Sequence, residues 1–239
     1  MCQGAALVVR PISLASAAVP LAHLPDEALI RFNPDKAILM DLAGDIAEAA
    51  AARDPLDAER ARLFALLGRL VSAPPDAALL RGLAGLSGDA SPLGQALAGL
   101  AEAAGRHDAA AVGREYFALF IGVGRGELLP YASYYLTGFL HERPLAELRG
   151  TLAGLGIARV AGVVEPEDHL GFCCEVMAGL LDGRFGGDAG GFFARHLAPW
   201  AGRCFADMAG AEAAGFYRAV GALGRTAIEI ETAAAALPA

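Results

Sequence analysis

The stretch DPLDAERARLFALLGRLVSAPP, residues 54–75, shows how this chain starts and stops a helix. The Asp54 side chain can accept hydrogen bonds from the free N–H groups of a first turn, and Pro55 suits the first helical position. Four leucines then repeat at helical spacing and form one apolar face: Leu63, Leu66, Leu67 and Leu70. Because Pro74 and Pro75 cannot continue the hydrogen-bond pattern, the stretch predicts an amphipathic helix that ends before them.

The same pattern recurs along the chain: a capping residue, then proline or an acid, then Ala and Leu at helical spacing. It predicts further helices over residues 34–53, 76–86, 92–105, 108–122, 133–142 and 144–156, after Glu165-Pro166, on both sides of Pro199, and over 212–236. No segment alternates β-branched and polar residues over more than a few positions. With connections of about two to eight residues, we predict an all-α fold, a single-domain helical bundle of roughly ten helices.

The N-terminal region differs from the rest of the chain. The apolar run MCQGAALVVRPISLASAAVPLAHL lacks a basic start and is interrupted by Arg10 and Pro11, so we do not predict a secretion signal. No later segment has the roughly 18 uninterrupted apolar residues of a membrane span. We predict an N-terminal tail of unknown role over residues 1–39, with Met40 as an alternative start, and one helical domain over residues 40–239.

Composition excludes some classes of function. The net charge is −8 and the pI is about 5.1, whereas a nucleic-acid-binding protein needs a surplus of Lys and Arg on one face. The four cysteines follow neither CxxC nor a zinc-module spacing, and they suggest no disulfide framework. The sequence therefore indicates a protein of the reducing cytosol that binds a basic peptide, a cation or no charged partner.

The segment EPEDHLGFCCEVMAGLL, residues 165–181, allows several interpretations. Pro166 suits a first helical turn, and Glu167 and Asp168 would face the positive end of the helix dipole, so helix capping alone explains these acids. An acid/base pair of Asp168 and His169 is the second interpretation. It lacks a nucleophile, a metal ion or a second carboxylate to complete a catalytic site.

A third interpretation of this segment is a metal or thiol site. His169 and Cys173 are four residues apart and share a helical face, as two metal ligands would. Two ligands are too few for a site, and Cys174 points elsewhere on the helix. Acids close to a cysteine also oppose the lowered pKa that a reactive thiol needs. We therefore expect the cysteines to be packing groups.

Two further segments carry polar and aromatic residues, EYFALFIG over 115–122 and LPYASYYLTG over 129–138. Tyr116, Leu119 and Phe120 form an apolar stripe at helical spacing, which by itself indicates core. Ser133 is a candidate cap for the helix that follows. Between them, GVGRGE lacks a preceding strand and a GK[ST] ending, so it predicts a turn rather than a phosphate-binding loop.

These segments, in this order and about thirty residues apart, resemble the TorD/DmsD family of molybdoenzyme maturation chaperones. That family carries an aromatic-x-x-Leu-Phe-x-Gly segment, a Pro-aromatic-x-Ser segment and a Glu-Pro-x-Asp-His helix start. Here they read YFALFIG, PYAS and EPEDHLGFCCEVMA, and the resemblance covers residues 55–235 by helix order. The sequence departs from the pattern at Cys173, where the family often has Glu, and at Leu152, where an aromatic residue is common.

The resemblance implies a cytoplasmic chaperone, not an enzyme. Such a chaperone binds the N-terminal, usually twin-arginine, leader of a molybdenum-cofactor oxidoreductase subunit, assists cofactor insertion and prevents premature export. Carried over to this sequence, the peptide-binding residues are Tyr116, Leu119, Phe120, Pro130, Tyr131, Ser133, Glu165, Asp168 and His169. Glu165 and Asp168 would face the guanidinium groups, His169 would orient the loop or sense the peptide, and the aromatic and leucine side chains would line an apolar groove.

Two alternatives are kept beside this interpretation. One is a nitrate reductase delta-type assembly chaperone for a subunit that is not exported. The other is a helical metal- or thiol-dependent enzyme that uses His169 and Cys173. We expect no resident cofactor, although the resemblance leaves room for weak binding of a guanine nucleotide or of the molybdenum cofactor. The expected partner is the signal peptide or N-terminus of a molybdoenzyme catalytic subunit. We expect no binding of nucleic acid and no stable membrane insertion, and we expect the protein to be a monomer or a homodimer.

Overall fold

The computed structural model describes residues 30–32, 54–159 and 165–236. Within these ranges the chain is a single all-α domain, as predicted, with ten α-helices, one π-helical turn and a two-stranded sheet. The predicted helix over residues 34–53 and the predicted boundary at residue 39 lie outside the described residues.

The helices follow one another with short connections. They are α1 Pro55–Ser72, α2 Ala77–Ala84, α3 Pro92–Arg106, α4 Ala109–Tyr116, the π turn Phe117–Ile121, α5 Ala132–Thr137, α6 Arg143–Gly154, α7 Leu170–Leu181, α8 Ala189–His196, α9 Ala201–Gly210 and α10 Phe216–Ala235. Strand β1, Ile30–Phe32, pairs antiparallel with β2, Ile157–Arg159, with Arg31 opposite Ala158. No helix in the described ranges is both long and apolar enough to cross a membrane.

Local capping fixes several helix starts where the sequence predicts them. Four side chains accept a hydrogen bond from an N–H group of the turn that they begin: Asp54 from Leu56 at 2.9 Å, Asp76 from Leu79 at 2.7 Å, Ser91 from Gly94 at 3.0 Å and Asp108 from Ala111 at 2.7 Å. Each of these bonds satisfies a donor that the helix itself leaves unpaired.

One predicted helix is shorter than its sequence suggested. The helix predicted over residues 133–142 ends at Thr137. Gly138 takes a φ of 85°, and its N–H donates to the carbonyl of Tyr134 at 2.8 Å. This left-handed residue closes the helix, because only glycine adopts that conformation without strain.

Helix α7 is the centre of the bundle. Ten of its twelve residues are buried, so it is apolar all round rather than amphipathic. It packs closely on α1, where a Cβ on Gly68 would lie 3.0 Å from the carbonyl oxygen of Gly171. Nearer the start of α1, the Arg60 guanidinium donates to both oxygens of Glu231 in α10, at 2.8 and 2.6 Å. The start of α7 is therefore in close contact with α1, which is in turn bound to α10.

Candidate functional site

The PYAS and EPEDH segments lie side by side. The N–H of Leu170 donates to the carbonyl of Pro130 at 2.8 Å, and the N–H of Ala132 donates to the carbonyl of Asp168 at 2.9 Å. Pro130 and Asp168 are both buried. These backbone hydrogen bonds join two connections that are distant in sequence into one surface between α5 and α7.

Asp168 caps α5 from across this junction. Its Oδ2 accepts a hydrogen bond from the N–H of Ser133 at 2.8 Å, while the N-cap residue Tyr131 provides no side-chain cap of its own. Ser133 lies inside the helix, and its hydroxyl accepts from the N–H of Glu142 at 3.3 Å. The prediction that Ser133 caps this helix is therefore wrong, because a carboxylate from another connection takes that role.

The EPEDH segment also begins α7 differently from the prediction. His169 is the N-cap residue, and its Nδ1 accepts from the N–H of Gly171 at 3.2 Å. Pro166 lies before the helix, because its carbonyl accepts from the N–H of His169 in a separate turn. Glu167 accepts from the guanidinium of Arg149, with Nη2 at 2.8 Å. Capping of α7 by Glu167 and Asp168 is therefore wrong, since both carboxylates bind groups of other helices.

His169 is fixed as a neutral ring in this junction. It is 8% exposed, and its Nδ1 accepts a backbone hydrogen bond, so that nitrogen carries no proton. Burial lowers the pKa of His169, and the nearby carboxylates of Glu165 and Asp168 partly raise it. Its ring meets that of Tyr131 nearly edge to face, with centroids 5.3 Å apart. Protonation would break the cap of α7 and charge a buried ring.

We expect the stability of the fold to fall as the pH falls below about 6.5, the ordinary pKa of histidine. A histidine with a lowered pKa in the folded chain binds fewer protons there than in the unfolded chain, so its contribution is present above that pH and lost below it. The slope should reach about 1.4 kcal/mol per pH unit for one histidine. Urea unfolding across this pH range measures it.

The His169→Asn variant is designed to flatten this pH profile, because asparagine keeps an acceptor at the N-cap position but does not titrate there. His196, whose pKa is also lowered by burial, would contribute to the remaining slope, whereas Glu175, whose pKa is raised by burial, would contribute a slope of the opposite sign. His141→Asn is the matched control, since His141 is exposed and has a φ of 63° that asparagine tolerates. An unchanged slope in His169→Asn would contradict the assignment.

The exposed carboxylate of Glu165 interacts with two phenols at the edge of the junction. The hydroxyl of Tyr131 donates to the carboxylate of Glu165. Burial raises the pKa of Tyr131, and this hydrogen bond raises it further. Burial and the charge of Glu165 also raise the pKa of Tyr116, whose hydroxyl donates to the carbonyl of Ser72 at 2.9 Å. Acid and aromatic side chains are therefore adjacent here, as the resemblance implies.

The YFALFIG segment ends in a π turn rather than in regular helix. The N–H of Gly122 donates to the carbonyl of Phe117, five residues back, at 2.7 Å. The carbonyls of Ala118 and Leu119 instead accept from the loop that returns along the helix, at 3.1 and 2.8 Å. The predicted helix over 108–122 is thus corrected to α4 followed by the π turn. Turns of this kind are frequent at functional sites.

The predicted apolar stripe divides into a buried and a half-exposed part. Leu119 is fully buried in the core, whereas Tyr116 and Phe120 are partly exposed. Their rings are 4.9 Å apart, and both pack on Tyr217 of α10, at 6.0 and 5.4 Å. Tyr217 is held in turn by a hydrogen bond from its hydroxyl to the carbonyl of Leu70 at 2.9 Å. This aromatic cluster therefore fixes the positions of Tyr116 and Phe120 in the candidate site.

Glu115, the residue before Tyr116, fixes the start of α10. Its carboxylate accepts from three successive N–H groups, those of Gly215, Phe216 and Tyr217, at 2.9, 3.0 and 2.6 Å. Helix α10 has no side-chain cap of its own. The bonds satisfy donors that the helix leaves unpaired and fix Tyr217 against the aromatic cluster.

Glu127 holds the chain just before α10. Its carboxylate accepts from the N–H groups of Glu212 and Ala213 at 2.6 and 3.1 Å. These N–H groups are therefore engaged outside any helix, and α10 begins at Phe216 rather than near residue 212, where the sequence predicted it.

The thiols lie in the core. Cys173, Cys174 and Cys204 are free and fully buried, which confirms them as packing groups, whereas Cys2 lies outside the described residues. Burial raises the pKa of Cys204 to about 12. In the described part of the chain, no group of three or more His, Cys, Asp or Glu residues is arranged to hold a metal ion.

Sequence reasoning missed three residues that build this site. Tyr217 and Ser72 carry no local signal, because their roles depend on which helix packs beside them. Glu115 does have a local signal, because it is an acid next to an apolar stripe. The helical pattern, however, assigns such an acid only to a solvent-facing position. The exposed side chains of the π turn were also missed, because the sequence predicted a regular helix over these residues.

Comparison with known proteins gives a family. A family model described as nitrate reductase delta subunit matches residues 87–206, half of the chain. This range includes the YFALFIG, PYAS and EPEDH segments, and the match confirms the resemblance to redox enzyme maturation chaperones. A search of curated proteins finds no match.

Proposed function

The chain belongs to the nitrate reductase delta subunit family, and on this premise we propose that it is an assembly chaperone for the catalytic subunit of a molybdenum-cofactor oxidoreductase. Within that role we propose that it binds the N-terminal, usually twin-arginine, leader of the subunit. While its leader is bound, the subunit is kept from export until the cofactor is inserted. The protein acts by binding rather than by catalysis.

One observation carries the leader-binding part of the proposal. The exposed carboxylate of Glu165 accepts a hydrogen bond from Tyr131, and its charge raises the pKa of Tyr116, whose ring packs on the half-exposed Phe120. A leader with a basic pair followed by an apolar stretch needs an acid beside an apolar surface. Glu165 supplies the charge, and the aromatic side chains supply the contact area.

The acids of the site then have different roles. Glu165 is exposed and can meet a guanidinium group directly, whereas Asp168 is 1% exposed and holds the start of α5. We therefore assign charge pairing to Glu165 and positioning to Asp168. His169, buried beneath the Tyr131 ring, keeps the two connections in register.

The experiment is calorimetric titration of the full chain with a synthetic peptide that carries an arginine pair followed by a run of leucine and alanine. At low salt, Glu165→Gln should weaken binding about tenfold, because it removes a charge-assisted partner of the guanidinium group. The loss should shrink as salt is added. Glu229→Gln, an exposed acid on α10, is the control and should bind like the parent. Equal affinities of parent and Glu165→Gln would refute the charge-pairing role.

The match to a nitrate reductase delta subunit family favours a second candidate, a delta-type chaperone for a subunit that is not exported. Such a chaperone need not recognise an arginine pair. A second peptide, with glutamines in place of both arginines, separates the candidates. If it binds as tightly as the arginine peptide, the delta-type function is preferred. A large preference for the arginine peptide supports recognition of a twin-arginine leader.

A further inference from the structure

A stripe of apolar side chains to which the resemblance assigned no role remains in solvent. Phe117 is 48% exposed, Ile121 is 53% exposed and Val123 is 98% exposed. Phe117 and Ile121 are four residues apart and share one side of the π turn, next around the helix from Tyr116 and Phe120. We call these three residues the π-turn stripe. Along the chain it continues the aromatic surface formed by Tyr116 and Phe120.

The fold presents this stripe rather than burying it. Gly122 and Gly124, on either side of Val123, have φ values of 63° and 89°. A Cβ on Gly122 would lie 2.0 Å from the carbonyl oxygen of Arg125, so the loop is a tight turn that only glycine permits there. The N–H groups after the loop bind the carbonyls of Ala118 and Leu119. A tight turn held by backbone hydrogen bonds thus leaves Val123 in water.

Leaving such side chains exposed has a cost. Each large apolar side chain left in water forgoes the free energy that its burial would release. A clustered exposed apolar surface next to polar groups is typical of an interaction site. Residues 116–124, YFALFIGVG, contain no charged side chain. The stripe itself therefore offers no charge that could pair with a charged group of the partner. An exposed acid, Glu165, lies at the Tyr116 end, whereas the exposed carboxylate of Glu127, beyond the Val123 end, is already bound by the N–H groups of Glu212 and Ala213.

From this distribution we infer that the π-turn stripe binds the apolar run of the leader and fixes its direction, with the basic pair at Glu165 and the apolar run extending from Tyr116 towards Val123. The inference rests on the proposed function and deepens it. From Tyr116 to Ile121 the helix advances about 7 Å, which matches one or two turns of a bound helical segment. The occupant is a segment whose basic residues precede its apolar residues.

Two substitutions on the stripe test this inference in the full chain. Ile121→Asp and Val123→Asp place a charge where the apolar run would lie, and both side chains are exposed, so the fold should be kept. Each should weaken binding of the arginine-leucine-alanine peptide about tenfold or more. Ile230→Asp is the matched control, because Ile230 is 43% exposed on α10, and it should leave the affinity unchanged.

Two further peptides test specificity and direction. In the first, serines replace the apolar run, and its weaker binding should be insensitive to Ile121→Asp. In the second, the apolar run precedes the arginine pair, and it should bind about tenfold more weakly than the original order. Equal binding of the two orders would overturn the assigned direction.

The remaining outcomes separate this inference from the proposed function. If Glu165→Gln weakens binding while Ile121→Asp and Val123→Asp do not, the stripe is not part of the site and the inference fails alone. If the parent binds none of the peptides, the leader-binding function fails and the inference with it. If Val123→Asp converts a dimer into a monomer in sedimentation and leaves peptide affinity unchanged, the stripe contacts a second copy, which also overturns the inference.

Discussion

Replacing Gly221 by alanine is expected to destabilise the folded chain by about 2 kcal/mol or more, although alanine favours a helix over glycine by about 1 kcal/mol. A Cβ at this position of α10 would lie 2.5 Å from the amide nitrogen of Ala209 and 2.6 Å from the carbonyl oxygen of Phe205. Both atoms belong to the backbone of α9, so no side-chain rotation can relieve the contact. The two helices must move apart.

Denaturant unfolding of Gly221→Ala beside Gly99→Ala measures this effect. Gly99 lies exposed inside α3, and a Cβ there meets no atom within 4 Å. That variant should be stabilised by about 0.5–1 kcal/mol, because it gains helix propensity without a clash. If both variants were stabilised alike, the close approach of α9 and α10 would be wrong.

The same variant has a consequence for the candidate site. Gly221 is one helical turn from Tyr217, which packs on Tyr116 and Phe120. Displacement of α10 would therefore move Tyr217, on which the aromatic surface packs, as well as weaken the core. We expect Gly221→Ala to lose peptide affinity at temperatures where it is still folded, whereas Gly99→Ala should not.

The helices that sequence predicted best are those whose signals are local. Asp54, Ser91 and Asp108 cap the turns that follow them, so a few adjacent residues contain the whole explanation. The proline pair after α1 acts in the same way. Such features need no knowledge of the rest of the fold, and their prediction was confirmed to within a few residues.

The errors arise where the partner is distant along the chain. Asp168 caps α5 from the connection before α7, and Glu115 caps α10 from within α4, so the residues around each acid do not reveal which helix it caps. The π turn forms because a returning loop supplies donors to its carbonyls, which the residues 117–121 do not reveal by themselves. Sequence periodicity describes one helix at a time, and these features belong to pairs of elements.

For the site, the resemblance named the residues but did not divide their roles. It grouped Glu165 with Asp168 as partners of guanidinium groups. Burial separates them, because Glu165 is exposed and Asp168 is enclosed between α5 and α7. The assignment of Glu165 to the peptide and Asp168 to the fold remains a prediction, and one pair of substitutions at Asp168 tests it.

Asp168→Ala is expected to destabilise the fold by about 3 kcal/mol. The substitution leaves the N–H of Ser133 buried without an acceptor and removes the only side-chain cap that the described residues supply to α5. It also loosens the junction through which Tyr131 is held beside Glu165. Urea unfolding should show an earlier midpoint with an unchanged slope, as expected for a native contact that is lost.

Asp168→Asn separates the capping role from the charge. The amide oxygen of asparagine can accept from Ser133 as the Oδ2 of Asp168 does, so the variant should lose no more than about 1 kcal/mol, chiefly the attraction of the charge to the start of α5. If Asp168 acts only by position, Asp168→Asn should bind the arginine peptide within about twofold of the parent, while Glu165→Gln loses about tenfold. An equal loss in both variants would mean that the buried carboxylate reaches the guanidinium group after all. In that case the junction between α5 and α7 must open when the peptide binds, because Asp168 is enclosed in the free protein.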